Sequence, residues 1–265
     1  MLFSERLKGF QAAHPCQSIT VDGAQYRYVL AGNEGAQTLV LLNGGMNTLA
    51  MWMDYVDPLS DAFQVLLFDY PQALRTNQEL VVGMHALFQA LGIEKPVFLG
   101  ASDGGMVLIS TGGMDANTLK SLRRKYFLAP LMLWYMKRCN YEKLKPKLIQ
   151  AGMRHIRNES PEEIAYAQDM FETIFQDYPQ EKDVHISGLL ADLMNQRPVT
   201  AEDFRALKGK ILLILPDQDF FSGKMQEDLI RLMWEPEIRY VSGGHLSTVL
   251  KAEDYIRAIR AFLDR

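Results

Sequence analysis

The chain alternates between short, continuously apolar runs and longer segments in which apolar residues recur every three or four positions. Runs of the first kind are typical of strands covered on both faces of a parallel sheet, and segments of the second kind are typical of amphipathic helices. The predicted buried strands are residues 38–42, 64–68, 97–100, 126–129, 210–215 and 238–241. Their alternation with helices predicts an α/β fold with a mostly parallel sheet.

Local signals mark the first and last elements of this sheet. Residues 17–21 and 25–30, joined by a turn containing Asp22-Gly23, predict an antiparallel hairpin. Thr76 and Glu79 have the spacing of a capping box, which predicts a helix starting there. Apolar residues at helical spacing after Ala252 predict a final amphipathic helix.

The segment from about Pro130 to Gln196 has no strand-like run. Ser160 and Pro161, followed by two glutamates, form a typical helix start. We interpret residues 131–199 as a helical cap inserted into an α/β core of residues 1–130 and 200–265. The alternative is that these helices only cover one face of the sheet.

Composition excludes several function classes. With 265 residues, 48% of them hydrophobic, the chain can form one sizeable α/β domain, and a net charge of −4 argues against a nucleic-acid partner. No apolar stretch approaches the roughly 18–20 residues needed to span a bilayer. The two cysteines, Cys16 and Cys139, lack the spacing of a disulfide framework or metal site. We therefore expect a cytoplasmic monomer or homodimer with no metal, cofactor or membrane partner.

The most informative motif is Gly100-Ala101-Ser102-Asp103-Gly104. It lies between the predicted strand 97–100 and a helix-compatible run that starts at Met106. A sharp strand-to-helix turn with small residues on both sides of a serine is the context of a nucleophile elbow. The motif predicts that Ser102 is an activated nucleophile. The alternative is a glycine-rich turn that holds an ordinary serine.

A serine nucleophile needs a base and a group that orients the base. His245 follows the last predicted strand in a Gly-Gly-His turn, where such folds place their chemistry. Asp217 and Asp219 follow the preceding buried strand, and each could accept the imidazole N–H or serve only as a turn former. The chain order Ser, Asp, His is the order expected for an α/β-hydrolase.

On these motifs the chain resembles serine hydrolases of the α/β-hydrolase fold superfamily, from about residue 17 to the C-terminus. The resemblance implies that Ser102 is the nucleophile, Asp219 the acid and His245 the base. It also implies that the backbone N–H groups of Gly45 and Asp103 form the oxyanion hole. Asn43 stands where the family usually has histidine, and Pro216 replaces a glycine before the acid. The implied reaction is cleavage of a small-molecule ester through an acyl-enzyme.

Two expectations concern the substrate. Met132, Trp134, Phe171 and Phe220 are expected to line an apolar acyl pocket, although residues of this kind also serve as core packing. Asp103 either complements the dipole of the following helix or pairs with a cationic group on the substrate. The second interpretation gives the hypothesis of a modest preference for amine-bearing esters.

A non-catalytic function is the main alternative. The Gly-Ala-Ser and Ser-Gly-Gly-His segments, with a short loop after residue 68, are also similar to maspardin-like proteins. Some members of that branch lack a complete triad and are regarded as binding proteins. The presence of His245 favours an enzyme over a binding protein.

Overall fold

A computed structural model describes residues 1–101, 107–109, 114–156, 159–219, 221 and 223–264. The described residues form an eight-stranded sheet in the order β1-β2-β4-β3-β5-β6-β7-β8. The strands are β1 (Gln17–Val21), β2 (Ala24–Gly32), β3 (Thr38–Leu42), β4 (Gln64–Phe68), β5 (Val97–Ala101), β6 (Val107–Ile109), β7 (Leu212–Pro216) and β8 (Glu237–Val241). β1 and β2 form the predicted hairpin, β2 pairs antiparallel with β4, and the other pairs are parallel.

Helices cover both faces of this sheet. They are α1 (Phe3–Ala13), α2 (Met53–Ser60), α3 (Asn77–Ala90), α4 (Ala116–Lys125), α5 (Ala129–Met136), α6 (Tyr141–Met153), α7 (Pro161–Gln176), α8 (Gln180–Leu193), α9 (Lys224–Leu232), α10 (Ser247–Leu250) and α11 (Ala252–Leu263). Short 3-10 helices span Leu49–Trp52, Arg154–Ile156 and Ala201–Leu207. The capping box predicted from Thr76 and Glu79 is present at the start of α3.

Burial on both faces explains why the strand sequences do not alternate between apolar and polar residues. Leu39 and Leu41 of β3 pack into one apolar cluster with Tyr55 of α2. Val40, between them, packs into a second cluster on the opposite face with Leu87 of α3. Successive side chains of a strand point to opposite faces, so every position of β3 is apolar apart from the first.

The apolar run after the serine motif differs from its prediction. The sequence predicts a helix from Met106, whereas Val107–Ile109 forms β6, between β5 and β7. Short apolar runs do not distinguish a strand from a buried helix, and the β-branched Ile109, fully buried here, favours a sheet. The structure of residues 102–106 lies outside the described part of the chain.

The strand predicted at residues 126–129 is absent from the described sheet. Tyr126 caps the end of α4, and Ala129 begins α5. Because β6 already pairs with both β5 and β7, the place expected for residues 126–129 in the sheet is filled. The side chains of Tyr126, Phe127 and Leu128 are instead exposed.

The described residues between β6 and β7 are helical or irregular, with α5, α6, α7 and α8 among them. The division of the chain into a core and a cap stays a prediction.

Helix α1 was not predicted from the sequence. It packs on α7: Phe3 is fully buried, and Ser4 donates hydrogen bonds from its backbone N and Oγ to Asp169. Among the described residues, no helix has the length and apolar character to cross a membrane.

Candidate active site

Loops that carry polar side chains lie together at one edge of the sheet. Parallel strands share one direction, so the carboxyl ends of β3, β4, β5, β7 and β8 meet at this edge. Such an edge is where open α/β sheets bind ligands. The described polar residues that follow these strands include Asn43, Asp69, Asp217, Asp219 and His245.

Asp219 and His245 form a close pair at this edge. His245 Nδ1 lies 3.2 Å from both carboxylate oxygens of Asp219. The Asp219 side chain is fully buried, whereas 23% of the His245 side chain is exposed. Because a carboxylate only accepts hydrogen bonds, Nδ1 carries a hydrogen, and in the neutral imidazole Nε2 is then the acceptor. The imidazole therefore has the tautomer that a general base requires.

Asp217 has a different role from Asp219 in this geometry. Its Oδ1 accepts a hydrogen bond from Gly243 N at 2.9 Å, and Gln218 N donates to Gly243 O at 3.0 Å. These bonds join the loop after β7 to the loop after β8. Asp217 thus holds together the two loops that carry Asp219 and His245.

The turn before His245 is held by its backbone conformation and by α10. Gly243 has φ +127°, and a Cβ there would come within 3.0 Å of Ser247 Cβ. Ser247, almost fully buried, donates from its backbone N and from Oγ to Gly244 O, and its Oγ also lies 2.6 Å from Tyr255 Oη. These contacts fix the chain directly on both sides of the histidine.

The loop after β3 is fixed by two asparagines and a tyrosine. Asn43 Nδ2 donates to Phe68 O at 2.8 Å and to Asn47 Oδ1 at 3.3 Å. Tyr70 Oη donates to Asn43 O at 2.6 Å. Asn47 Oδ1 accepts from Tyr70 N, and Asn47 Nδ2 donates to Tyr70 O. We call residues 43–47 the β3 loop; its side chains bind it to the end of β4.

Gly45 lies at the centre of the β3 loop. Asn47 N donates to Gly44 O, so Gly45 and Met46 are the middle residues of a tight turn. A Cβ at Gly45 would meet none of the described atoms within 4 Å. The described residues therefore leave room on the Cβ side of Gly45.

The other predicted site residues divide into those inside and those outside the described chain. Ser102, Asp103 and Phe220 lie outside it. Met132 and Trp134 lie on α5, 60% and 53% exposed, and Trp134 stacks against Arg138. Phe171 is buried in the apolar cluster formed mainly by α1, α6 and α7. The lining roles of these residues stay predictions.

A buried ion pair lies next to this edge. Lys182 Nζ on α8 lies 3.3 Å from Asp69 Oδ2, and both side chains are about five-sixths buried. Burial raises the pKa of Asp69, and the Lys182 ammonium opposes that rise. Four residues before Lys182, Tyr178 Oη donates to Met46 O of the β3 loop at 2.9 Å.

Sequence reasoning missed Asn47, Tyr70 and Tyr178. The position of Tyr70 directly after Asp69 was a usable signal, since β4 was predicted as a strand and its carboxyl end must meet that of β3. Asn47 and Tyr178 had no comparable signal. Their contacts depend on a left-handed residue (Asn47, φ +40°) and on the placement of a helix junction far away in sequence.

Known proteins match this chain in sequence over less than half of its length, whereas solved structures match it along most of its length. No protein-family model matches the chain. It is 34% identical over 104 residues to the dihydrolipoyllysine-residue acetyltransferase component of the acetoin cleaving system of Cupriavidus necator, covering 36% of this chain and 28% of that protein. It is 26% identical over 109 residues to the uncharacterized hydrolase YugF of Bacillus subtilis, covering 38% and 40%. The matches thus span less than half of either relative.

Three solved structures superpose on most of the chain. A hydrolase from Pseudomonas aeruginosa has a TM-score of 0.70 at 18% identity, covering 95% of this chain and 99% of that one. A thermophilic esterase from Thermogutta terrifontis has a TM-score of 0.70 at 19% identity, covering 94% and 98%. An α/β-hydrolase enzyme from a Medee basin deep-sea metagenome has a TM-score of 0.66 at 15% identity, covering 94% and 98%. The chain has the α/β-hydrolase fold.

Within the α/β-hydrolase fold, the Asp219–His245 pair occupies the edge where the chemistry of open α/β sheets is located. The β3 loop lies at the same edge, and β5, the strand before Ser102, is the direct neighbour of β3. Similarity to maspardin-like proteins stays a prediction.

Proposed function

We propose that this protein is a serine hydrolase that cleaves a small-molecule ester or related acyl bond. The observation that carries the proposal is the contact between the buried Asp219 carboxylate and His245 Nδ1, at the edge where β5 ends and Ser102 follows in sequence. The structural neighbours add support, because they include a hydrolase and an esterase of the same fold.

In the proposed first step, His245 Nε2 takes the proton of Ser102 Oγ as that oxygen attacks the substrate carbonyl carbon. Asp219 holds the imidazole in the required tautomer and stabilises the imidazolium that forms. The imidazolium then donates its proton to the leaving alcohol, and an acyl-enzyme remains. In the second step His245 takes a proton from water as the water oxygen attacks the acyl carbon. The imidazolium then returns that proton to Ser102 Oγ as the acyl bond breaks, which releases the acid and restores Ser102.

The negative oxygen that forms in both steps needs fixed donors. We assign these to the backbone N–H groups of Gly45 and Asp103. The bonds that hold the β3 loop, and the room that the described residues leave at Gly45, support the first assignment. A preorganised donor of this kind is worth about 2.7–4 kcal/mol of barrier reduction.

The substrate would bind between this edge and a cap formed by residues 131–199. Met132, Trp134, Phe171 and Phe220 are proposed to contribute apolar surface to that site. Asp103 is proposed to favour esters that carry an amine. Exchange of Asp103 for asparagine should then abolish any difference in rate between amino-acyl and neutral esters of equal length.

The direct activity test is hydrolysis of p-nitrophenyl esters of increasing acyl length by the wild type and by two variants. Ser102→Ala and His245→Ala should each lower kcat by about 10³-fold or more, because each removes a member of one catalytic unit. Both should unfold at the same denaturant concentration as the wild type, within error.

His85→Ala is the matched control, since His85 is an exposed histidine on α3, away from this edge. It should retain wild-type kcat and KM. If the wild type hydrolyses an ester and both Ser102→Ala and His245→Ala retain that activity, the proposed triad is contradicted. A folded wild type that hydrolyses none of the esters would contradict an esterase and favour a binding protein.

A further inference from the structure

The junction between α7 and α8 contacts the β3 loop through the hydroxyl group of a tyrosine. Tyr178 lies in this junction, is 6% exposed, and donates from Oη to Met46 O at 2.9 Å. Met46 also packs against the apolar cluster that contains Tyr178 and Ile174. Met46, next to Gly45, is therefore bonded to Tyr178 and packed against a cluster to which Tyr178 belongs.

A second contact binds the first turn of α8 to the end of β4, the strand whose end holds the β3 loop. Lys182, one helical turn after Tyr178, pairs with Asp69 at the end of β4. The next residue, Tyr70, bonds to both Asn43 and Asn47. The junction thus reaches the β3 loop directly at Met46 and indirectly through Asp69 and Tyr70.

The far end of α8 is also anchored to the sheet layer. Asn77 donates from its backbone N and its Nδ2 to Asp192 Oδ2, and from Nδ2 to Leu189 O. Ile186 and Leu189 pack with Leu80 of α3. These contacts and the Lys182–Asp69 pair fix both ends of α8, the helix that follows Tyr178.

We propose that Tyr178 is a positioning residue that holds the β3 loop in the geometry needed for oxyanion stabilisation, so that the helical segment controls the rate of the chemical step. The inference rests on the proposed function. Burial raises the pKa of the Tyr178 phenol well above its usual value, with the carboxylates of Asp183 and Asp69 adding to the rise. The hydroxyl therefore remains a hydrogen-bond donor over the whole pH range in which an esterase would be assayed.

The effect of losing this bond should fall on kcat. An oxyanion donor acts on the transition state, and small displacements of catalytic groups cost large factors in rate. Tyr178→Phe removes only the hydroxyl and keeps the ring in its cluster. We expect kcat for a short p-nitrophenyl ester to fall about tenfold, with KM within about twofold of the wild type.

Tyr141→Phe is the matched control. Tyr141 is equally buried, belongs to α6, and donates its hydroxyl to Asp183 without touching the β3 loop. It should leave kcat and KM within about twofold of the wild type. Lys182→Met provides a second variant, which breaks the Asp69 contact, also removes the ammonium over the Tyr178 ring, and keeps the Tyr178 hydroxyl. Lys208→Met, which breaks an ion pair with Glu235, is its control. We expect a fall in kcat for the first and none for the second.

Hydrogen exchange of the amides in residues 43–47 gives a readout independent of activity. Tyr178→Phe should speed exchange there several-fold, and Tyr141→Phe should not. An inactive wild type would overturn the proposed function, while the exchange comparison would still decide whether Tyr178 holds the loop. An active wild type whose Tyr178→Phe variant matches Tyr141→Phe in kcat or in exchange would overturn the positioning role alone.

Discussion

Asp217 and Asp219 are two residues apart, follow the same strand, and are both plausible partners of a histidine in sequence. Only their contacts separate them. Asp219 is fully buried at its side chain and faces His245 Nδ1, whereas Asp217 accepts from the backbone of Gly243. One carboxylate can act on the imidazole, and the other organises the turn that carries it.

This difference predicts unequal effects of two isosteric substitutions. Asp219→Asn replaces an acceptor that fixes the imidazole tautomer, so kcat should fall by about 10²- to 10⁴-fold. Asp217→Asn keeps an oxygen that can accept from Gly243 N and should lower kcat by less than about tenfold. Steady-state kinetics on one ester measures both. Equal losses, or a larger loss for Asp217→Asn, would reverse the assignment of the acid.

The sequence predicts the site residues that directly follow a strand, but it does not predict residues whose role depends on tertiary contacts. The pairing of Asp219 and His245 at one edge follows from their positions after parallel strands. The bonds of Asn43, Asn47 and Tyr70 could not be predicted, because they require the neighbour order β4-β3-β5 and a left-handed asparagine. The exchange of the family's histidine for Asn43 gave no indication of the network that accommodates it.

Among the helices, α8 carries a buried carboxyl group whose ionised form disfavours folding. Asp183 on α8 accepts a hydrogen bond from Tyr141 Oη at 3.1 Å. Burial raises the pKa of Asp183, and this hydrogen bond only partly offsets the rise. A carboxyl whose pKa is higher in the folded than in the unfolded state favours folding when protonated and opposes it when ionised.

Asp183→Asn should therefore stabilise the protein at neutral pH. The amide retains an oxygen for Tyr141 and removes the buried charge. The variant should have the higher free energy of unfolding at pH 7.5, and its advantage should shrink as the pH falls through the raised pKa of Asp183. Urea unfolding at pH 7.5 and at pH 4.5 measures this, with Asp177→Asn, an exposed carboxylate at the end of α7, as the control.

Two outcomes would show that the charge of Asp183 carries no such cost. In one, Asp183→Asn is no more stable than the wild type at pH 7.5. In the other, its advantage is the same at both pH values, which points to packing and not to titration.

Elements with several agreeing signals were predicted well, and elements with one signal were not. α3 has a capping box, an apolar face and a closing glycine, and it forms where predicted. β6 and residues 126–129 each had only a short apolar run, and their assignments were wrong. For α1, the apolar positions Phe3, Leu7 and Phe10 have helical spacing, yet no cap or breaker marks its start in the sequence.

At the scale of the whole molecule, the parallel sheet could be predicted because its strands are buried on both faces and read as continuous apolar runs. Strand order could not, since pairing of β2 with β4 and of β3 with β5 is decided by packing between residues far apart in sequence. The same holds for the candidate site. The sheet edge on which it lies could be predicted from the direction of the parallel strands, whereas the contacts of α8 with that edge depend on tertiary structure.

We propose that this α/β-hydrolase-fold protein acts through a nucleophilic serine activated by His245. The most direct test is treatment of the folded protein with a fluorophosphonate, followed by mass spectrometry of the intact chain and its peptides. The account predicts one stable adduct on Ser102, formed at least about 10²-fold more slowly in His245→Ala and at the wild-type rate in His85→Ala. A folded wild type that acquires no adduct, or one whose adduct forms elsewhere or at the same rate without His245, would contradict it.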